Sequence, residues 1–149
     1  MKNMFEPGTV KEIKYRINKL QPDMPRQWGK MEVAQMMAHC SAALEVATGQ
    51  KKSHRILFGR IFGRLLKSYY LGEKPLRKNS PTDKSFIVID RRNFEKEKTK
   101  LVELIDQFSQ GGPAKVTKHP HSFFGKLKPA EWSRAMYKHL DHHLKQFGV

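Results

Sequence analysis

A chain of 149 residues has the length of one ordinary domain and can bury a core without disulfide or metal staples. A hydrophobic fraction of 38% with 10% aromatics excludes a disordered chain, and the single cysteine, Cys40, excludes an internal disulfide framework. Lys and Arg number 29 against 14 Asp and Glu, and the net charge of +15 raises the question of a nucleic-acid or membrane partner. Met1-Lys2-Asn3-Met4-Phe5-Glu6-Pro7 lacks the apolar stretch of a signal peptide, so a reducing cytoplasm is the expected address.

In chain order the pattern is helical, within a single domain over 1–149. Thr9-Val10-Lys11-Glu12 has the form of a capping box, and Val10, Ile13, Ile17 and Leu20 follow at helical spacing, which predicts a first helix over 9–20. After Trp28-Gly29, the residues Val33, Met36, Met37, Cys40, Leu44 and Ala47 keep one stripe as far as Gly49 and predict the second. The third, over 55–71, is a basic amphipathic segment with Arg60, Arg64 and Lys67, too short and too charged to span a bilayer. Gly59 and Gly63 either weaken that helix or admit another backbone against it. Pro75 and Pro81 bracket a loop, and Phe86-Ile87-Val88-Ile89 reads as extended chain. A fourth helix runs from Asn93 through Leu101, Leu104, Ile105 and Phe108 to the stop signal Gly111-Gly112-Pro113, and the last from Pro129 to Phe147 with Gly148 as its cap. Five helices without a convincing sheet predict an all-α bundle, a fold whose sites are built from side chains on facing helices.

The excess charge is concentrated, with 12 basic and 3 acidic residues between 51 and 92. Such a run reads first as a solvated helix face and second as a phosphate-binding surface, with Tyr69 and Tyr70 available for stacking. No nucleic-acid motif accompanies it.

The histidines carry a sharper signal. Seven placed at random give roughly one third of an i, i+4 pair, so spacing alone is thin evidence for His139 and His143. Position adds more: at about 100° per residue, both fall with Trp132, Ala135 and Met136 in the middle of the apolar face of the last helix. Glu131, Arg134, Lys138, Asp141 and Lys145 form the opposite, charged face. Two buried imidazoles at i and i+4 can chelate one divalent ion, and a third ligand from another helix leaves a position open for water or substrate. His39, in Met36-Met37-Ala38-His39-Cys40 beside the main stripe of the second helix, can supply it, with the loop residues His119 and His121 as rivals. His142 lies at the edge of the face, as a surface residue or one that supports a ligand, and His54 sits in an exposed basic run. Cys40 belongs to the apolar stripe and reads as a core residue. His-Glu-x-x-His and Glu-x-x-His metal motifs, a P-loop and a dinucleotide fingerprint are all absent from the sequence.

Trp28-Gly29, Met36-Met37-Ala38-His39-Cys40, His119-Pro120, Phe124-Gly125, Trp132 and the run Tyr137-Lys138-His139-Leu140-Asp141-His142-His143-Leu144-Lys145-Gln146-Phe147-Gly148 together resemble the DinB/YfiT-like metalloenzyme superfamily, over nearly the whole chain. The resemblance implies a four-helix bundle, up-down-down-up, with an additional short helix or extended segment. It also implies a divalent metal, zinc or nickel, held by three histidines that match His39, His139 and His143, with Gln146 beside them. Characterised relatives include transferases and isomerases that use low-molecular-weight thiols, and relatives are often homodimers. The first expectation is therefore a cytoplasmic metal-dependent thiol transferase or detoxification enzyme with a small-molecule substrate, bound to neither nucleic acid nor membrane. The second is a non-catalytic basic module that binds nucleic acid or an acidic partner through 51–92 and keeps the metal for structure.

Overall fold

Five α-helices and two short 3-10 turns make up the regular structure of residues 2–80 and 82–149, which the computed structural model describes; no strand occurs among them. Met1 and Pro81, the latter expected to close a loop, lie outside the described residues. The helices are α1 (Pro7–Asn18), α2 (Val33–Ala47), α3 (Leu57–Leu71), α4 (Phe94–Gly111) and α5 (Pro129–Gln146).

Local chemistry sets most of the ends. Pro7 occupies the first turn of α1, where its missing N–H costs nothing and its fixed φ is already helical. The expected capping box at Thr9 is not formed: Glu6 is the N-cap, and Thr9 lies buried within the helix, which starts two residues earlier than its sequence suggests. At α2 the backbone N–H of Glu32 donates to Gln35 Oε1 at 2.9 Å, and at α5 that of Lys128 donates to Glu131 Oε2 at 2.7 Å. Asn93 Oδ1 caps α4 by accepting from Lys96 N at 2.9 Å, and Gly112, with φ +59, ends it before Pro113. Gly148, with φ +77, closes α5 as expected. The segment expected as extended is divided: Phe86 ends a 3-10 turn (Lys84–Phe86), while Ile87 to Ile89 form no ladder, and Ile87 and Ile89 are exposed.

α2 is buried over most of its surface, with Met36, Met37, Cys40 and Leu44 almost fully removed from water, so it is the central helix. It packs against α4 and α5, and α1 packs against the same two. Ile13 and Ile17 of α1, Leu101 and Ile105 of α4, and Trp132, Leu140 and Leu144 of α5 complete this core. α3 lies outside it, against α5.

α3 covers part of the charged face of α5: Lys138 is buried and its Nζ donates to the carbonyls of Gly72 at 2.6 Å and Lys74 at 2.8 Å, just past the end of α3. A cation there also complements the negative end of the helix dipole. Glu131 pairs with Lys67 of α3 at 2.7 Å. On its other side α3 meets the loop of residues 121–125: Ile56 N donates to Ser122 O at 3.1 Å, and Arg55 Nη1 donates to the carbonyls of His121 at 3.0 Å and Phe123 at 3.2 Å. Gly59 and Gly63 make that contact possible, since a Cβ on Gly63 would stand 2.1 Å from Phe123 O and one on Gly59 2.6 Å from it. Among the described residues no helix is long and apolar enough to cross a membrane.

Gly63→Ala is expected to push the 121–125 loop off α3 and lower stability by about 1–3 kcal/mol, the usual cost of overpacking. Gly8→Ala, where a Cβ meets nothing within 4 Å, serves as the control and should be neutral or stabilising by up to about 1 kcal/mol. Urea titrations of both variants compare the two; equal stabilities would refute the close approach.

Candidate metal centre

Three of the seven histidines meet at one level between α2 and α5. His39 comes from α2, and His139 and His143 from successive turns of α5, where their spacing stacks both rings on the face turned to α2. The ring centroids form a nearly equilateral triangle, with separations of 4.8 Å (His39–His139), 4.7 Å (His39–His143) and 4.8 Å (His139–His143). One ring nitrogen of each lies within 4.8 Å of the other two, and His39 Nε2 approaches His139 Nε2 to 2.8 Å.

The outer nitrogens fix how the rings face. His39 Nδ1 lies 2.9 Å from the carbonyl oxygen of Phe86, which can only accept, so Nδ1 carries the proton and Nε2 presents its lone pair to the cluster. His143 Nδ1 lies 2.9 Å from Gln146 Oε1, and Gln146 Nε2 in turn donates to Trp28 O at 2.7 Å. With its amide nitrogen committed to a carbonyl, Gln146 accepts through Oε1, and His143 therefore also keeps its lone pair on Nε2. Gly29 makes room for this relay: its φ is +78, and a Cβ there would stand 2.5 Å from Gln146 Nε2. Supporting groups of this kind orient imidazoles in metal sites generally.

Burial keeps the rings neutral. It holds His39 below the usual histidine range against the pull of the Phe86 carbonyl, and it takes His143 down to about 3, helped by the proximity of His39. His139 is also held well below the usual histidine range, by burial and then by His143 and His39. Three neutral nitrogen donors at this separation are compatible with a metal site. Two imidazole nitrogens on one tetrahedral ion stand roughly 3.3 Å apart, and the observed separations, from 2.8 Å to at most 4.8 Å, bracket that value.

The other histidines fall elsewhere. His121 turns its ring toward Phe124 and Trp132, and its Nδ1 accepts from the backbone N–H groups of Phe123 at 3.1 Å and Phe124 at 3.3 Å, which makes it a brace for the loop against α3. His119 and His54 are exposed. His142 packs between Trp28 and His143, with ring centroids 5.4 Å and 5.1 Å away, so it supports the cluster from its edge. Cys40 is buried in the core, its thiol pushed up by burial and directed at Met36 Sδ, 3.8 Å away. Sequence reasoning missed the carbonyls of Phe86 and Trp28, because any residue type supplies a carbonyl; the one available signal was the glycine after Trp28.

The protein-family profile described as "Protein of unknown function (DUF1569)" matches residues 8–148. No match was found among curated proteins or among solved structures.

Neutral rings predict a specific proton balance on metal binding. Three unperturbed imidazoles, titrating near 6.5, would be half-protonated at that pH and would release roughly 1.5 protons as they bound a metal. Here all three values are lowered, so the folded protein holds fewer protons on them at pH 6.5 than three free imidazoles would. Calorimetric titration with zinc at pH 6.5, in buffers of different ionisation enthalpy, should show ligand proton release clearly below that of free imidazoles; release of roughly 1.5 protons or more would contradict the neutral cluster.

Proposed function

We propose that this chain, a member of the DUF1569 family, is a divalent-metal protein of the DinB-like type in which His39, His139 and His143 hold zinc or nickel for chemistry on a small thiol. The observation that carries the reading is the convergence of three imidazoles, two of which, His39 and His143, have their outer nitrogens already bound to Phe86 O and Gln146 Oε1. Purely structural packing needs no such arrangement, since it leaves the Nε2 lone pairs of His39 and His143 turned toward a third ring inside the bundle. The closed circuit of contacts from α2 to α4, α1, α5 and back supports a four-helix bundle of that type, with α3 as the added element.

Three neutral ligands bring no negative charge, which favours an anionic fourth partner. A bound divalent ion of this kind lowers the pKa of a coordinated thiol and presents it as thiolate. That sulfur has to come from outside, because Cys40, the sole cysteine, is buried with its thiol pushed up and directed at Met36. The protein contributes ring orientation through Phe86, Gln146 and Trp28, a buried setting that keeps protons off the ligands, and a net charge of +15 that draws anions toward it.

Elemental analysis of zinc-loaded protein should give one ion per chain, with stoichiometric binding lost in His139→Ala. Gln146→Ala should retain one ion at 10–100-fold weaker affinity, as expected for a group that orients a ligand. Unchanged stoichiometry in His139→Ala would refute the ligand set. Conjugation of a low-molecular-weight thiol to an electrophile, followed with and without metal, tests the reaction separately; rates indifferent to both metal and His139 would refute it.

A further inference from the structure

The outer face of α3 is unlike the rest of the surface. Leu57 (73% exposed), Ile61 (65%) and Leu65 (76%) follow one another at intervals of four, and Phe58 (56%), Phe62 and Tyr69 widen the strip. At about 200 Å² for a full side chain, these six leave on the order of 700 Å² of apolar surface in water, above the roughly 300–600 Å² of the largest patch on an ordinary monomer. The exposure is imposed by the other side of the same helix. Gly59 and Gly63 seat the first turns of α3 on the backbone of Phe123, so its small residues face inward there and the large ones between them outward.

The flank of the strip is cationic. Arg60 and Arg64 are exposed and enter no ion pair among the described residues, and α3 carries no acidic residue. Exposed Lys51 and Lys52 lie just before the helix, within a stretch of 12 basic and 3 acidic residues over 51–92.

We infer that α3 is a membrane-surface helix, which lays Leu57, Ile61, Leu65 and Phe58 into the headgroup boundary of an anionic bilayer while Arg60 and Arg64 meet lipid phosphates. Apolar residues on one face, cations along its edge and aromatics among them are the pattern of helices that lie in the interface plane. A 15-residue helix, about 22 Å long, is suited to lying flat. The length and charge of the segment argue against spanning, which is all that stood behind the expectation of no membrane partner; lying on a bilayer is a different requirement. Charge decides against a second copy as occupant, because it would bring the same unpaired arginines and no carboxylate to the contact. A nucleic acid would use the arginines but gains nothing from the aliphatic strip.

Co-sedimentation of the full chain with vesicles tests this. Vesicles of phosphatidylcholine with phosphatidylglycerol should bind the protein, and pure phosphatidylcholine vesicles should bind it weakly. Arg60→Gln and Arg64→Gln should each reduce binding about fivefold, and higher salt should weaken it further. Ile61→Asp and Leu65→Asp, at exposed positions that leave the core intact, should abolish it with an unchanged circular dichroism spectrum. Failure to bind anionic vesicles, or binding that survives Ile61→Asp, overturns the proposal. So does a dimer in sedimentation velocity that Ile61→Asp splits, which assigns the face to a second copy.

Discussion

Three imidazoles at one level between α2 and α5, two of them buried and His139 half-buried, are the constraint from which much of the surrounding structure follows. Each ring has two nitrogens, and a core offers no water to satisfy the outer ones. Distant chain is therefore drawn in: the 3-10 turn at Lys84–Phe86 brings a carbonyl to His39, and the segment at Trp28-Gly29 brings one to Gln146, which holds His143. Removing any member of this relay leaves a buried polar atom without its partner. The loops before α2 and before α4 are in this sense parts of the site as much as connections.

α5 serves two purposes with its two faces. One presents His139 and His143 to α2; the other, rich in charge, binds the end of α3 through Glu131 and Lys138. Because α3 is fixed by backbone and ionic contacts, by two glycines and by Leu71 at its end, the large apolar residues of its outer face are left free of the core. The same helix that completes the fold thus carries its most apolar exposed surface, and the chain's excess charge is concentrated beside that surface.

Much of this was legible from residue spacing. The helical wheel of α5 separates His139 and His143 from the charged residues, and the two readings of Gly59 and Gly63 resolve in favour of backbone approach. The stop at Gly111-Gly112-Pro113 and the cap at Gly148 follow from the conformations those residues favour. What was not legible depends on tertiary partners. Lys138 looks like a surface residue on a wheel because a wheel does not show the carbonyls of Gly72 and Lys74 waiting above it. Thr9 and Glu12 have capping-box spacing, but Pro7 permits an earlier start and Thr9 is buried instead. The carbonyls of Phe86 and Trp28 leave no trace in side-chain identity.

X-ray absorption at the zinc edge of protein loaded with one equivalent of metal tests the central claim most directly. The account predicts three imidazole nitrogens at about 2.0 Å and one further light donor, with one imidazole lost in His143→Ala. Addition of a small thiol should bring in a single sulfur at about 2.3 Å. An all-oxygen shell, or a spectrum that His143→Ala leaves unchanged, would contradict it.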